Sequence, residues 1–101
     1  MGDRLPLTAD VLGPLCRRHR IRKLSLFGSV LKGTARPDSD VDLLVEFFPE
    51  ARPTLLDMAQ IEIELSQLLG GRKVDLRTAQ DLSRYFRDEV VRTAEPQYVA
   101  G

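Results

Sequence analysis

Asp40 and Asp42 stand two residues apart at the head of the apolar run Val41-Asp42-Leu43-Leu44-Val45-Glu46-Phe47. In an extended chain alternate residues share a face, so the two carboxylates project together from Cα atoms ~7 Å apart. Side by side they repel and raise each other's pKa unless a cation or solvent relieves them. The chemistry such a pair suits is capture of a hard cation. Mg²⁺ is the obvious one, held by one or two carboxylates together with substrate phosphates. Taken alone, the pair reads more readily as a solvated Asp-rich turn, Pro37-Asp38-Ser39-Asp40, running into a strand.

Two further pieces bear on the choice. Phe27-Gly28-Ser29 ends a short apolar run and precedes a possible helical turn over 29–32. Glycine there permits close backbone approach to a ligand, helix N-terminal N–H groups favour anions, and Ser29 adds a hydroxyl. The same dipeptide is also an ordinary turn. Asp75, inside Val74-Asp75-Leu76, is a carboxylate between aliphatic residues and is costly to bury without a partner. If its strand lies beside the Val41–Phe47 run, it joins Asp40 and Asp42. Otherwise it faces water at an edge or pairs with Arg72 or Arg77.

The elements that must position these residues follow from pattern. A first helix, capped by Thr8 or Asp10, places Val11, Leu12, Leu15 and Cys16 on one side, and Gly13-Pro14 predicts a late start or a distorted first turn. Lys23 to Phe27 reads as a strand that stops at Gly28, and 33–38 as a loop. The nearly continuous apolar run from Val41 to Phe47 predicts a central strand. Thr54 with Asp57 opens a helix whose stripe is Met58, Ile61, Leu65 and Leu68, stopped by Gly70-Gly71. Lys73 to Leu76 is a third strand. Thr78 with Asp81 opens a last helix to about Thr93, with Leu82, Phe86 and Val90 inward; Pro96 ends regular structure, with Gln97-Tyr98-Val99 as a possible edge strand. The order predicts an α/β fold in which one mixed sheet is flanked by helices.

The chain has 101 residues, with 15 basic and 15 acidic side chains. That length fits one domain, residues 1–101, with room for one core and one shallow site. A substrate-binding domain must then come from elsewhere. The zero net charge conceals a division: residues 1–36 carry eight bases against two acids, and residues 37–69 eight acids against one base. Neutrality argues against general nucleic-acid or membrane binding, which rests on excess positive charge. The single cysteine, Cys16, excludes an internal disulfide, and with no signal-like segment the expected setting is cytoplasmic. Cys16 and Met58 read as core. His19 has no cysteine at metal-ligand spacing. The basic run from Arg17 to Lys23 reads first as a helix C-terminus and a solvated strand start, with an RNA contact or an acidic-partner patch as sharper alternatives.

Gly28-Ser29, ten intervening residues, and Asp40-Val41-Asp42 resemble the signature of the DNA polymerase β-like nucleotidyltransferase superfamily. The stretch from Leu26 to Phe47 is similar to its minimal nucleotidyltransferase (MNT) branch, short proteins often encoded beside a HEPN-domain protein. Val30-Leu31-Lys32 departs from the more basic segment of many relatives and leaves one base there. The resemblance implies that Asp40, Asp42 and Asp75 coordinate two Mg²⁺ ions and carry catalysis. It also implies that Gly28 and Ser29 hold the nucleotide, with Lys32 or Arg36 near its phosphates.

The resulting expectation is transfer of AMP from ATP to a tyrosine of a partner HEPN ribonuclease toxin, the chain acting as antitoxin, in complex with that partner and without membrane or direct nucleic-acid binding. Two alternatives are an antitoxin that neutralises by binding alone, and a nucleotidyltransferase acting on a small molecule or RNA.

Overall fold

The computed structural model describes residues 8–28, 40–85 and 87–100. Helix α1 spans Ala9–Arg18. Thr8 caps it, its side-chain oxygen accepting from the Val11 N–H at 3.3 Å. The helix therefore does not start late, and it runs through Pro14. Proline's missing N–H would have reached the carbonyl of Asp10, which is exposed, so water can satisfy that carbonyl.

Four strands form one mixed sheet: β1 (Ile21–Phe27), β2 (Val41–Phe47), β3 (Val74–Arg77) and β4 (Glu95–Val99). Their spatial order is β3-β2-β1-β4, so β2 is central as its apolar run predicts. β1 is antiparallel to both neighbours, and β3 lies parallel to β2. The parallel pair is joined by α2 (Leu55–Leu68), which opens on the expected box: Thr54 and Asp57 each bond the other's backbone N–H. The helix ends before Gly70 and Gly71, both at positive φ.

Odd-numbered β2 residues Val41, Leu43 and Val45 join Leu24 and Leu26 of β1 and Val74 and Leu76 of β3 in the core. Leu12, Leu15 and Cys16 of α1, with Ile61 and Leu65 of α2, cover that face. Met58 and Leu68 flank it, as the stripe predicts. Burial pushes the Cys16 thiol up to about 12, so this side chain is packing and not a nucleophile. The opposite face carries Asp42, Leu44 and Glu46, with Asp75 and Arg77 beside them.

Two further sequence expectations change. Thr78 and Asp81 do form a capping box, but it opens only a 3₁₀ turn, Ala79–Asp81, and the helix resumes as α3 (Arg87–Thr93). Leu82 is extended between them and buried, and its carbonyl accepts from the Arg87 guanidinium at 3.0 Å. Burial of that leucine and a side-chain donor replace one continuous helix. Pro96 does not end regular structure: it lies inside β4, opposite Ser25 where the register shifts. Proline is tolerated there because β4 is an edge strand. Among the described residues no helix is long and apolar enough to cross a membrane.

Candidate active site

Parallel pairing sets Asp42 directly against Asp75, and Phe27, the residue before Gly28, against Asp42 on the other side. Asp40 immediately precedes β2, two residues before Asp42. The three carboxylates that the sequence singles out are thus brought to one end of the sheet. Ser29, Lys32 and Arg36 lie outside the described residues, as do the possible turn over 29–32, the loop over 33–38, and Phe86.

Asp42 is the most constrained of the three. Its pKa is raised from the ordinary 3.8, first by burial and then by Asp75 and Asp40, with Arg77 acting in the opposite sense. Gly28 is built around it. The glycine sits at φ +85, and a Cβ there would fall 2.2 Å from Asp42 Oδ2. Sequence reasoning assigns this glycine to ligand approach; the fold adds a nearer reason, since the Asp42 carboxylate stands where a side chain would begin.

The flanking bases hold the other two carboxylates. Arg77 Nη2 and Nε donate to Asp75 Oδ2 at 3.1 and 3.3 Å. Lys73 Nζ lies 3.9 Å from Asp40 Oδ2. Sequence pattern does not single out Lys73, although its place two residues before Asp75 puts it on the same face. In this arrangement no three His, Cys, Asp or Glu side chains among the described residues are grouped to hold a metal ion. The donor set nevertheless suits a hard cation: all oxygen, all acidic, on backbone positions fixed by register, with mutual repulsion already raising Asp42. Side-chain rotation of Asp40 and Asp75 away from their bases is what would be required.

A residue that sequence reasoning missed seats the third carboxylate. Glu62 of α2 accepts a hydrogen bond from the Leu76 backbone N–H at 2.9 Å. β3 is an edge strand, and Glu62 takes up a donor that no neighbouring strand takes. No local pattern marks it, because the contact spans fourteen residues. Past the end of β3, a groove of about 480 Å³ opens beside β2, lined by Leu44, Glu46, Phe48, Thr78, Gln80 and Val91 among others.

The sequence profile of the nucleotidyltransferase domain family matches residues 10–97. This chain belongs to that family. Among curated proteins the nucleotidyltransferase is 41% identical over 78 residues to the protein adenylyltransferase MntA of Thermococcus cleftensis, covering 77% of this chain and 76% of that one. It is 32% identical over 81 residues to a protein of Methanocaldococcus jannaschii described as a protein adenylyltransferase, covering 80% and 84%. A solved structure described as a minimal nucleotidyltransferase shares 41% identity at a TM-score of 0.71 over 87% of each chain. The fold also matches a toxin–antitoxin solved with AMP-PNP, at 21% identity and a TM-score of 0.70 over 91% of this chain and 73% of that one. The family assignment and the mixed-sheet fold are as the signature implies, and the chain is a nucleotidyltransferase enzyme.

Proposed function

We propose that this nucleotidyltransferase moves AMP from ATP to a tyrosine hydroxyl of a HEPN ribonuclease toxin encoded beside it, and so acts as a cytoplasmic antitoxin. The observation that carries the reading is the register: Asp42 opposite Asp75, with Asp40 two residues before. Relatives named as protein adenylyltransferases support a protein acceptor, and the toxin–antitoxin neighbour supports the pairing.

Asp40, Asp42 and Asp75 would hold Mg²⁺, two ions in the full arrangement, and the metal when bound would supply charge neutralisation for the triphosphate and a lowered pKa for the acceptor hydroxyl. The backbone at Gly28 and the hydroxyl of Ser29 would receive the triphosphate, with Lys32 or Arg36 neutralising its outer charge. Asp75 would assist in taking the proton of the acceptor hydroxyl. The new bond joins the acceptor oxygen to the α-phosphorus. The bond to the bridging oxygen breaks, and pyrophosphate leaves with its electron pair.

The test is transfer of labelled AMP from ATP to the purified toxin, with D40A/D42A beside the wild type and circular dichroism to establish that both fold. Labelling should fall at least a hundredfold, as for loss of a principal transition-state interaction (on the order of 10²–10³). Undiminished labelling would sink the assignment, and neutralisation of the toxin by the unlabelling variant would favour an antitoxin that acts by binding.

A further inference from the structure

The end of β2 away from the carboxylates carries a second recess. Five residues separate Asp42 from Phe47, or about 17 Å along a strand. There the α1–β1 turn and the segment before α2 enclose a cleft of about 220 Å³, lined by Arg18, His19, Arg20, Phe47, Arg52 and Asp57 with three smaller contributors. It gathers part of the basic run that the catalytic reading leaves unused.

The charges in this cleft are not all committed. Arg18 is paired with Glu64, and His19 Nε2 lies 3.1 Å from the same carboxylate. Asp57 accepts from the Thr54 N–H in the helix cap. Arg20 and Arg52 have no ion-pair partner among the described residues, and both are exposed. The cleft therefore offers two free guanidinium groups in a concave setting.

Arg20 is informative for a second reason. It is the one non-glycine residue at positive φ among those described, at +58. Glycine or asparagine occupies such a position at lower cost. Its carbonyl accepts from the Phe48 N–H at 3.0 Å, which ties the turn to the far end of β2. An arginine held in an unfavourable backbone conformation, with its side chain free at a cleft, is the pattern of strain retained at a working position.

The rim separates two kinds of anionic partner. Leu55 and Leu56, on the first turn of α2 next to Arg52 and Pro53, are 89% and 82% exposed. Phe47, which would be needed to stack a base, is packed against the core. Free arginines beside bare leucines suit an acidic protein segment with apolar side chains better than a nucleic acid. We infer that this end of the sheet is a docking surface for an acidic, leucine-contacting segment of the protein partner, separate from the site of chemistry. The inference rests on the proposed protein acceptor and assigns that partner a second point of contact.

The test measures binding of the purified HEPN toxin by calorimetry without nucleotide, at low and high salt. Wild type, R20E/R52E and R20G are compared, each with its melting temperature, and AMP transfer is followed separately with ATP. Wild type should bind with salt-sensitive affinity, R20E/R52E should bind about 30-fold or more weakly, and R20G should lose part of the affinity while melting no lower than wild type. Equal affinity for wild type and R20E/R52E, or no binding by wild type, overturns the docking surface. A 20-nucleotide RNA that binds wild type but not R20E/R52E, with toxin affinity unchanged, overturns it in favour of nucleic acid. Salt-sensitive binding lost in R20E/R52E, with no AMP transfer by wild type, upholds the surface and removes only the adenylyl-transfer reading.

Discussion

The two ends of β2 handle charge in opposite ways. At the Asp42 end, like charges are pressed together by strand register: Asp75 is directly opposite, Asp40 two residues away, and Gly28 gives up its side chain to make room. At the Phe47 end, cations come from a helix end and from turns, Arg18 closing α1, Arg20 before β1 and Arg52 before α2, and a carboxylate, Glu64, is shared between Arg18 and His19. A sheet fixes spacing, so it can hold groups that would otherwise separate. Turns fix it less, so free guanidinium groups there remain adjustable to whatever approaches. The proposed chemistry, which needs fixed distances, suits the first end, and the inferred recognition of a partner suits the other.

Substitutions can break or sharpen this contrast. The largest effect is expected from Gly28→Ala, where a methyl group meets the Asp42 carboxylate in a backbone conformation that L residues avoid. Overpacking and positive φ together should cost about 2–5 kcal/mol in urea unfolding. Gly70 also has positive φ, but the space where a Cβ would stand is open, with no atom within 4 Å. Gly70→Ala should therefore cost only about 1–2 kcal/mol, and equal losses at the two glycines would contradict the close approach of Asp42. Glu62→Ala comes next, leaving the Leu76 N–H without its partner at about 1–3 kcal/mol. Glu62→Gln, which keeps an acceptor, should lose less, and hydrogen exchange at Leu76 should accelerate in the alanine variant.

At the other end, Arg20→Gly should stabilise the fold by roughly 0.5–1 kcal/mol in the same unfolding experiment, since it relieves the positive φ. The smallest change concerns Asp42 itself. Because its folded pKa lies above the unfolded 3.8, ionisation burdens the folded state; the burden is absent below pH 3.8 and complete once pH exceeds the raised value. Asp42→Asn should thus melt slightly higher than wild type at pH 7 in chelator, by under about 1 kcal/mol because the site is open to water. The advantage should vanish below pH 3.8. Mg²⁺ should raise the melting temperature of the wild type and not of the variant.

Much of this architecture is legible in the sequence because it is local. The Thr54–Asp57 box and the apolar run of β2 are short-range patterns, and each forms as read. The placement of β3 beside β2 is only conditional in the sequence and is settled by the sheet. What escapes a sequence reading depends on distant partners. Pro14 fits inside α1 because the carbonyl it leaves belongs to the exposed residue Asp10, and Pro96 fits inside β4 because that strand is an edge. The last helix divides because burial of Leu82 outweighs helical continuity. Glu62 reaches Leu76 fourteen residues on with no pattern to mark it, and the signature that spaces Gly28 from Asp42 does not say that the two touch.

The parallel alignment of β3 with β2 also acts as a check on assembly. A slip of one residue would set Val74 or Leu76 against Asp42 and turn the Asp75 carboxylate into the layer beneath α2, among Val41, Leu43 and Ile61. An ionised carboxylate has no partner there, so the misaligned chain is penalised before function is ever tested. Proofreading of the sheet and proofreading of the acidic row are therefore one event, and a chain that has settled into its fold has already aligned its acids.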